Sequence, residues 1–387
     1  MAEIREPGLG EAEAYAELLW QSFGLDQAFC EALVERHFPD RVRVFVDEGR
    51  VLGGLFADPQ GQSWGGRVVP AVCIGGVAID PTMRRRGVAT RLLTAVLDEF
   101  RSAGTPLAVL HASNHALYRK LGFEHAGLRQ VVSFHPRDLT GDPRACTVER
   151  VGPDGHAALK ALYNSAVLPH RDGALLRSDL RWQRALALDR GGSAWCVATR
   201  DSRGHLTGYA AWTTDGRLPG LTARLGDVVA TTAASAAALR GVLAQLEATV
   251  SSIHTAIAPD DPLWWHLQHP RATPVSTDAF LVRVLDPLRA VARWGFPNTT
   301  ATASFTWSDP RFPQHDGAYT LRVRDGRGTL EPSRGGGPTL GPRGLTALLS
   351  GRVSPLQLPV LDLLDGAPSE AWARVFPRRT AYLRDMF

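Results

Sequence analysis

This sequence has few of the features that mark several common classes of protein. Only Lys120 and Lys160 are lysines among its 43 basic residues, and the net charge is +4. No apolar run approaches the roughly 20 residues that span a bilayer. No long basic stripe with interleaved aromatic residues is present either. These absences argue against a membrane-spanning helix and against nucleic acid as a partner.

Cysteine is scarce and widely spaced. Cys30, Cys73, Cys146 and Cys196 form no CxxC pair, which argues against a structural zinc site or another bound metal. Cys73 and Cys196 lie in apolar, strand-like runs, so we expect them to be buried free thiols. Several glutamates in the first 20 residues do not suit a signal peptide. Together these features predict a cytoplasmic location.

The chain is too long for one ordinary hydrophobic core. Its 387 residues predict two or three domains. A hydrophobic content of 44% and a charged content of 21% are typical of globular proteins with sizeable cores.

The segment 76–90 carries the most specific pattern. An apolar run stops at Asp80-Pro81, three arginines and a glycine follow, and apolar residues at helical spacing then predict a helix over 88–103. Free backbone N–H groups at a helix start, a glycine that admits close approach and arginine side chains together suit a pyrophosphate. The predicted site comprises Arg84, Arg85, Arg86, Gly87, Val88, Ala89 and Thr90. A solvated basic turn is the alternative interpretation.

The order of predicted elements occurs twice. The first copy is predicted to contain a helix over 11–23, strands over 43–46, 51–56 and 71–79, the helix 88–103, a strand over 107–111 and a short helix near 114–121. The second copy is predicted to contain a helix over 156–165, strands over 194–199, 206–212 and 224–230, a helix over 233–250, a strand over 252–258 and a short helix over 261–267.

The second copy lacks the basic segment. It has Thr231-Thr232-Ala233-Ala234 where the first copy has arginines and a glycine, so we interpret it as a catalytically silent duplicate. Trp264 and Trp265 in this copy are either a ligand platform or aromatic residues packed at a domain contact.

The segment 286–387 follows a different pattern. Strands are predicted over 291–294 and 317–323, a hairpin over 321–330 and a short helix over 344–349. The hairpin and the helix resemble a sterol-carrier-type α+β domain, a fold that need not carry lipid.

The motif Arg84-x-x-Gly87-x-Ala89 resembles the acetyl-CoA pyrophosphate loop of the GNAT N-acetyltransferases. One such domain, a degenerate second one and a sterol-carrier-like end together resemble the Eis (enhanced intracellular survival) family. The resemblance implies a mixed α/β chain of tandem GNAT folds followed by an α+β domain. Its expected domains are a cofactor-binding domain over 1–140, a degenerate GNAT-like domain over 141–285 and a sterol-carrier-like domain over 286–387. It also implies an acetyl-CoA-dependent N-acetyltransferase.

In the GNAT fold the fourth and fifth strands part, and the pantetheine arm of acetyl-CoA enters between them. The strands 71–79 and 107–111 match this pair, and Gly75-Gly76 would permit a bulge. Backbone groups of Val77, Ala78 and Ile79 would then bind the pantetheine, and a backbone N–H near Val77 would face the thioester oxygen. An ordinary buried strand with a glycine irregularity is the alternative.

The motif Tyr118-x-x-x-Gly122-Phe123 resembles the usual end of a GNAT domain, whose tyrosine is the family's general acid. A phenol with a reference pKa of about 10 is protonated at neutral pH and can donate to a thiolate whose parent thiol has a pKa of about 8.5. A core tyrosine is the alternative. Ser113 and Asn114 are expected to contact the cofactor, and either can cap the short helix.

Two groups are candidates for handling the amine proton. Of the nearby histidines His111, His115 and His125, His111 is the best candidate base, and a satisfied core or cofactor-adjacent residue is the alternative. The Eis resemblance implies a second group, because in that family the carboxylate of an aromatic last residue enters the active site. This chain ends in Phe387, whose carboxylate would orient the amine or pass its proton through water. A frayed terminus is the alternative.

The acceptor is weakly encoded. Acidic and aromatic residues in the first helices would suit a cationic amine; they are Trp20, Phe23, Asp26, Phe29, Glu31 and His37. The resemblance implies an aminoglycoside-like small molecule or a protein lysine as acceptor, direct transfer in a ternary complex, and a homo-oligomer, namely a hexamer. A non-enzymatic protein that binds or senses acyl-CoA or lipid is the alternative.

Overall fold

The computed structural model describes residues 2–186, 194–269 and 272–387. The chain forms two compact units. Unit 1 comprises Met1–Gly127, Ala279–Ala381 and Met386–Phe387, and unit 2 comprises Leu128–Asp278 and Tyr382–Asp385. In the described parts of the chain, no helix combines the length and apolarity needed to cross a membrane.

Unit 1 contains every element predicted for the first copy. Its elements are β1 (Glu3–Arg5), α1 (Leu9–Phe23), α2 (Gln27–His37), β2 (Val42–Asp47), β3 (Arg50–Trp64), β4 (Arg67–Ile79), α3 (Val88–Ser102), β5 (Leu107–His111), α4 (His115–Lys120) and the start of β6 (Glu124–Phe134). The strands pair in the order β1-β2-β3-β4-β5, antiparallel up to β4 and parallel between β4 and β5. On its other side, β5 pairs antiparallel with residues 280–284.

Strand β3 is longer than predicted. The polar sequence after residue 56 does not end it, because the buried carboxylate of Asp58 pairs with Arg41 at 3.1 Å. The strand continues to a turn at Gly65-Gly66, where both residues adopt positive φ angles. The apolar face of α3 packs on this sheet as its periodicity predicts, through Leu92, Leu93, Val96 and Leu97.

Unit 2 contains the second copy. After the end of β6 its elements are β7 (Thr147–Arg150), α5 (His156–Ala166), β8 (Leu175–Leu176), α6 (Asp179–Ala185), β9 (Ala194–Arg200), β10 (Leu206–Asp215), β11 (Leu221–Ala230), α7 (Ala233–Ala244), β12 (Val250–Ile257) and the start of β13 (Thr273–Val284). The strand order is β6-β12-β11-β10-β9-β7, with only β11 and β12 parallel among these described pairs.

Two predictions for the second copy need correction. The helix predicted over 233–250 ends at Ala244, because a 3-10 turn follows and Val250 already belongs to β12. The short helix predicted over 261–267 is a 3-10 turn, Pro262–His266. Within it, Trp264 packs on the core and donates to the carbonyl of Ala258 at 3.0 Å, whereas Trp265 is 74% exposed. Trp264 is therefore packed on a core within unit 2, and Trp265 is not packed.

The C-terminal region of unit 1 forms a separate small sheet. Its elements are α8 (Pro287–Arg293), β14 (Ala301–Trp307), β15 (Gly317–Arg324), β16 (Arg327–Pro332), β17 (Thr339–Leu340), α9 (Pro342–Leu349) and α10 (Trp372–Val375), and the strand order is β16-β15-β14-β17. The predicted hairpin is confirmed, with Leu321 opposite Leu330. The strand predicted over 291–294 is wrong. These residues end α8, whose start is fixed by Pro287 and by the Asp286 carboxylate accepting from the N–H of Arg289.

Candidate functional site

The parallel pair β4–β5 separates halfway along β4. Pairing ends at Ile74 and Leu110, although β4 continues to Ile79. A bulge follows at once, since Gly76 and Val77 together lie opposite a single residue of β3. The predicted bulge is therefore present. The parted edge of β4 leaves backbone groups available to an extended amide-bearing ligand.

A buried tyrosine holds the bulge in place. The hydroxyl of Tyr15 donates to the carbonyl of Gly76 at 2.8 Å, and Gly76 has a φ of +60°. Burial raises the pKa of Tyr15 well above its ordinary value, so the hydroxyl remains a donor. A Cβ on Gly54 would lie 2.4 Å from the Tyr15 ring, so a larger residue at position 54 would displace Tyr15. No sequence pattern marks Tyr15 as part of the site, because only the fold brings it to the bulge.

Asp80 shapes the turn that follows β4. Its carboxylate accepts hydrogen bonds from the hydroxyl and the backbone N–H of Thr82, at 2.6 and 2.8 Å, and these bonds lower the pKa of Asp80. Arg85 and Gly87 then adopt left-handed backbone, with φ angles of +63° and +81°. The chain enters α3 directly from this turn.

Helix α3 begins at Val88 without a capping side chain, because its N-cap residue is Gly87. Arg84, Arg85 and Arg86 are exposed beside this helix start. The segment predicted to bind pyrophosphate thus combines a 15-residue helix's N-terminus with three permanent positive charges.

Asn114 begins α4. Its side-chain oxygen accepts from the N–H of Leu117 at 3.3 Å, whereas the neighbouring Ser113 is exposed and does not cap the helix. Of the two predicted capping residues, Asn114 is the one used. Both lie directly after β5, beside the point where the strands part.

Tyr118 is 5% exposed and packs edge-to-face on Phe123, with ring centroids 6.0 Å apart. Burial raises the pKa of Tyr118 to about 12. The phenol therefore remains protonated at neutral pH. Gly122 has a φ of +85°, and a Cβ there would lie 1.6 Å from the guanidinium of Arg283, so the glycine of this motif has a structural cause.

Phe387 lies where β4 and β5 part. A Cβ on Gly75 would come within 2.5 Å of the Phe387 carboxyl carbon, so only glycine leaves room for it. The Phe387 ring lies 5.1 Å from the ring of His111, measured between centroids. Gly75 and His111 are the first residues beyond the last β4–β5 pair. The chain end is packed at this position.

His115 and His125 form a separate pair, with ring nitrogens 3.1 Å apart. Burial, and next the neighbouring His115, lowers the pKa of His125. Among the described residues, no three His, Cys, Asp or Glu side chains come together as a metal site. Among the described residues no cysteine forms a disulfide, and Cys73 and Cys196 are buried as predicted.

Comparison with known proteins identifies the fold. Residues 3–126 and 173–284 each match a model of an acetyltransferase (GNAT) domain, and residues 288–384 match a sterol carrier protein domain. An uncharacterized N-acetyltransferase of Streptomyces avermitilis is 30% identical over 292 residues, which cover 68% of this chain and 67% of the relative. This chain belongs to the GNAT family of N-acetyltransferases. As a GNAT acetyltransferase it uses acetyl-CoA as co-substrate and an amine-bearing acceptor.

Further relatives confirm the predicted resemblance to the Eis family. A second uncharacterized N-acetyltransferase of Streptomyces avermitilis is 28% identical over an alignment that covers 90% of this chain and 89% of the relative. The N-acetyltransferase Eis of Mycobacterium tuberculosis is 27% identical, covering 69% and 67%. A GCN5-related N-acetyltransferase from Anabaena variabilis has the same fold over the whole of both chains, with a TM-score of 0.92 at 23% identity. The alignment with Eis1 from Mycobacterium abscessus also covers the whole of both chains, with a TM-score of 0.78 at 21% identity.

The second GNAT domain keeps the strand geometry of the first. Pairing between β11 and β12 ends at Leu225 and Thr255, and Gly226 then forms a bulge against β10. The following helix differs, because Thr232 at its N-cap accepts from the N–H of Ser235 at 3.1 Å. The degenerate domain thus caps internally the helix start that is uncapped in the first.

A cleft of about 1070 Å³ adjoins α3 and α4 of the first GNAT domain, and its described lining carries six basic and four acidic side chains. Its lining includes Thr90, Arg91, Arg119 and Lys120, and on the side of the C-terminal region Arg311 and Arg343. Neither Tyr118 nor Phe387 lines it. The cleft lies along α3 from Thr90 to Asp98, and the segment 84–89 does not line it either.

The buried carboxylate of Glu124 fixes two of the arginines at this cleft. It pairs with Arg119 at 2.9 Å and with Arg343 at 2.7 Å. Burial alone would raise the pKa of Glu124, but hydrogen bonds from these arginines and the N–H of His125 hold it below its ordinary value. The acid is therefore ionised at neutral pH and orders both guanidinium groups.

In the helices expected to line the acceptor site, two of the polar residues stabilise the fold. The Asp26 carboxylate caps α2 by accepting from the N–H of Phe29 at 2.9 Å. His37 is buried, and its ring lies 4.5 Å from the ring of Phe56. Phe23 and Glu31 are exposed on the same helices.

Proposed function

We propose that this acetyltransferase moves the acetyl group of acetyl-CoA directly to a primary amine of a cationic small molecule, such as an aminoglycoside, or of a lysine side chain. Transfer takes place in a ternary complex. The observation that carries this proposal is the packing of the Phe387 carboxyl group against Gly75, beside His111, where β4 and β5 part.

Three parts of the first domain would bind acetyl-CoA. The uncapped start of α3, with the residues 84–90, would bind the pyrophosphate. Backbone groups of Val77, Ala78 and Ile79 beyond the bulge would bind the pantetheine, with Ser113 and Asn114 on the opposite strand's continuation. The cleft beside Thr90, where basic side chains outnumber acidic ones, would suit the phosphorylated nucleotide end.

The reaction forms a carbon–nitrogen bond and breaks a carbon–sulfur bond. The ammonium nitrogen loses two protons, one to water and one that replaces the proton given to the thiolate. Tyr118, protonated because burial raises its pKa to about 12, would donate to the departing sulfur. An α-carboxylate has a reference pKa of about 3.5, so Phe387 is a weak base. Its role is to orient the ammonium and to pass the proton to water. Holding amine and thioester together can supply ~7–11 kcal/mol of the barrier reduction.

Coenzyme A release in the presence of tobramycin, kanamycin or polylysine tests the proposal. We expect release to accelerate with the amine, and mass spectrometry to find the acetyl group on it. Tobramycin acetylated beforehand at its amines is the control. Release that no amine accelerates would contradict the proposal.

A second experiment tests Phe387 separately. Deleting Phe387, or extending the chain beyond it with a tag, should lower turnover sharply while the thermal shift produced by acetyl-CoA is retained. The same tag placed at the N-terminus is the control. Full turnover in both altered proteins would remove Phe387 from the mechanism.

The Eis resemblance also supports a homo-hexamer. Light scattering on the full-length protein would measure the mass of the assembly, and a monomeric mass would contradict this part of the proposal.

A further inference from the structure

The end of the chain is held in unit 2 just before its last two residues. The guanidinium of Arg384 donates to the carbonyl of Gly226 at 2.9 Å, to the carbonyl of Ala256 at 2.7 Å and to the hydroxyl of Thr255 at 3.1 Å. Gly226 and Ala256 are the first residues beyond the last β11–β12 pair. Arg384 therefore fills the gap between the parted strands of the second GNAT domain.

A buried network of charges fixes the same segment. Asp227 pairs with Arg384 at 3.4 Å and with Arg177 at 2.6 Å, and it accepts from the hydroxyl of Tyr209 at 2.7 Å. Arg177 in turn donates to Asp385 at 2.9 Å. Two consecutive residues of the chain end are thus held by two opposite charges inside unit 2.

The charges in this network are retained despite burial. Burial alone would raise the pKa of Asp227, but Arg177 and Arg384 hold it below its ordinary value. The Arg177 side chain is 1% exposed and lies against the rings of Tyr163 and Trp182, at 4.1 and 4.9 Å from their centroids. An ion pair this buried fixes geometry strongly, since removing one partner leaves an uncompensated charge.

Backbone hydrogen bonds complete the attachment. The N–H of Leu383 donates to the carbonyl of Leu128 at 3.1 Å, and the N–H of Tyr382 donates to Asp172 at 2.9 Å. Arg129 donates to the carbonyl of Arg384 at 3.0 Å. Every residue of Tyr382–Asp385 is therefore bound through backbone or side chain, and only Met386 separates this segment from Phe387.

We propose that Arg384 and Asp385 are positioning residues for acetyl transfer, and that the strand gap of the degenerate domain is a socket for the chain's own end. This inference rests on the proposed role of Phe387. A terminal carboxylate on a loose chain would sample many positions. A displacement of about 1 Å at a reacting group can lower the rate roughly a hundredfold. Anchoring the preceding residues removes most of that freedom.

The test is a double-mutant cycle in the full-length protein. Arg384→Met should lower kcat by about tenfold to a hundredfold and leave the KM for acetyl-CoA within about twofold. After deletion of Phe387, Arg384→Met should cause no further loss, because Arg384 acts only through that residue. Arg384→Lys, which keeps the charge, should restore part of the rate. Arg200→Met, which breaks the exposed pair with Glu149 in the same unit, should leave kcat unchanged.

Full kcat in Arg384→Met would overturn the inference. So would an equal loss with and without Phe387, since it would indicate general damage to the fold. Asp385→Asn is a milder second variant, because it keeps the side-chain size and removes only the charge that Arg177 holds.

Carboxypeptidase digestion tests how firmly the socket holds the chain end, and it does not depend on acetyl transfer. Release of Phe387 should be several times faster from Arg384→Met than from the unaltered protein, and equal rates would refute anchoring. If no amine is acetylated but the digestion rates differ as expected, the proposed function fails while the socket stands.

Discussion

Each of the two GNAT domains has a sheet with parted parallel strands and a bulge, yet the domains differ at both places where a cofactor would bind. In the first domain the helix after the parted strand begins at Gly87, which supplies no cap. In the second, Thr232 caps the equivalent helix, and Arg384 fills the gap between the strands. The difference lies in which donors and acceptors are already satisfied, because the backbone geometry is retained.

This contrast shows how two domains of one fold can differ in the groups that they offer to a ligand. A helix start whose N–H group is bound by a threonine hydroxyl has less to offer a phosphate. A strand gap whose carbonyls accept from a guanidinium has no place for a pantetheine amide. The proposed catalytic tyrosine and the predicted anion loop both belong to the first domain, and the following variants test that division.

Loss of the Tyr118 hydroxyl should have the largest effect. Tyr118→Phe removes the proposed proton donor to the thiolate and should lower kcat by about 10²–10⁴-fold, with acetyl-CoA binding retained. Stopped-flow or steady-state release of coenzyme A measures the rate. Tyr319→Phe is the matched control, since that buried hydroxyl only donates to the carbonyl of His315. Equal rates in the two variants would assign Tyr118 to the core alone.

A pair of glycines with the same backbone angle separates cofactor binding from strain. Gly87 and Gly204 both have a φ of +81°, and a Cβ on either meets no atom within 4 Å. Gly87→Val should weaken acetyl-CoA binding at least tenfold, about 1.4 kcal/mol, by blocking approach to the helix start. Gly204→Val, in the turn between β9 and β10, should bear similar strain and bind normally. Calorimetric titration with acetyl-CoA measures both, and equal affinities would contradict an anion site at Gly87.

Alkaline pH should reveal the burial of Tyr118. Its folded-state pKa of about 12 is above the reference value of about 10, so its contribution to stability is complete below pH ~10 and is lost as pH rises toward 12. Between pH 9 and 11 (values either side of ~10), Tyr118→Phe should lose less stability than the unaltered protein. Urea unfolding at the two pH values measures this, and identical losses would indicate an exposed phenol.

The cap in the second domain should matter for stability alone. Thr232→Ala removes the bond to the N–H of Ser235 and should cost about 0.5–2 kcal/mol of folding free energy. Acetyl-CoA affinity should stay unchanged, because the proposed cofactor site lies in the first domain. Denaturant unfolding and calorimetric titration test the two statements, and weaker acetyl-CoA binding would break the division between the domains.

Local patterns made much of the first domain predictable. The helix after Gly87 and the short helix that Asn114 begins depend on neighbouring residues, which a sequence displays directly. Contacts between distant segments were not predictable in the same way. Tyr15 binds Gly76, 61 positions away, and Arg384 binds Gly226, 158 positions away. No local sequence pattern predicts either contact.

The wrong strand over 291–294 shows the limit of apolar patterns. Four residues cannot distinguish a strand from the end of a helix, and the signal that decides lies upstream in Asp286-Pro287. The long strand β3 shows a related limit, because the polar residue Asp58 is buried with a partner that lies outside its own segment.

The bulge at Gly226 bears on how a duplicated enzyme domain changes over evolutionary time. Where β11 and β12 part, the carbonyls of Gly226 and Ala256 lack a strand partner, and a carbonyl withdrawn from water needs a donor. A lineage that abandons the original ligand must close the gap, which rebuilds the sheet, or find another donor. One arginine codon supplies several donors together. A side chain of the same protein can then replace a bound ligand through few mutations, and the parted strands and the bulge are kept.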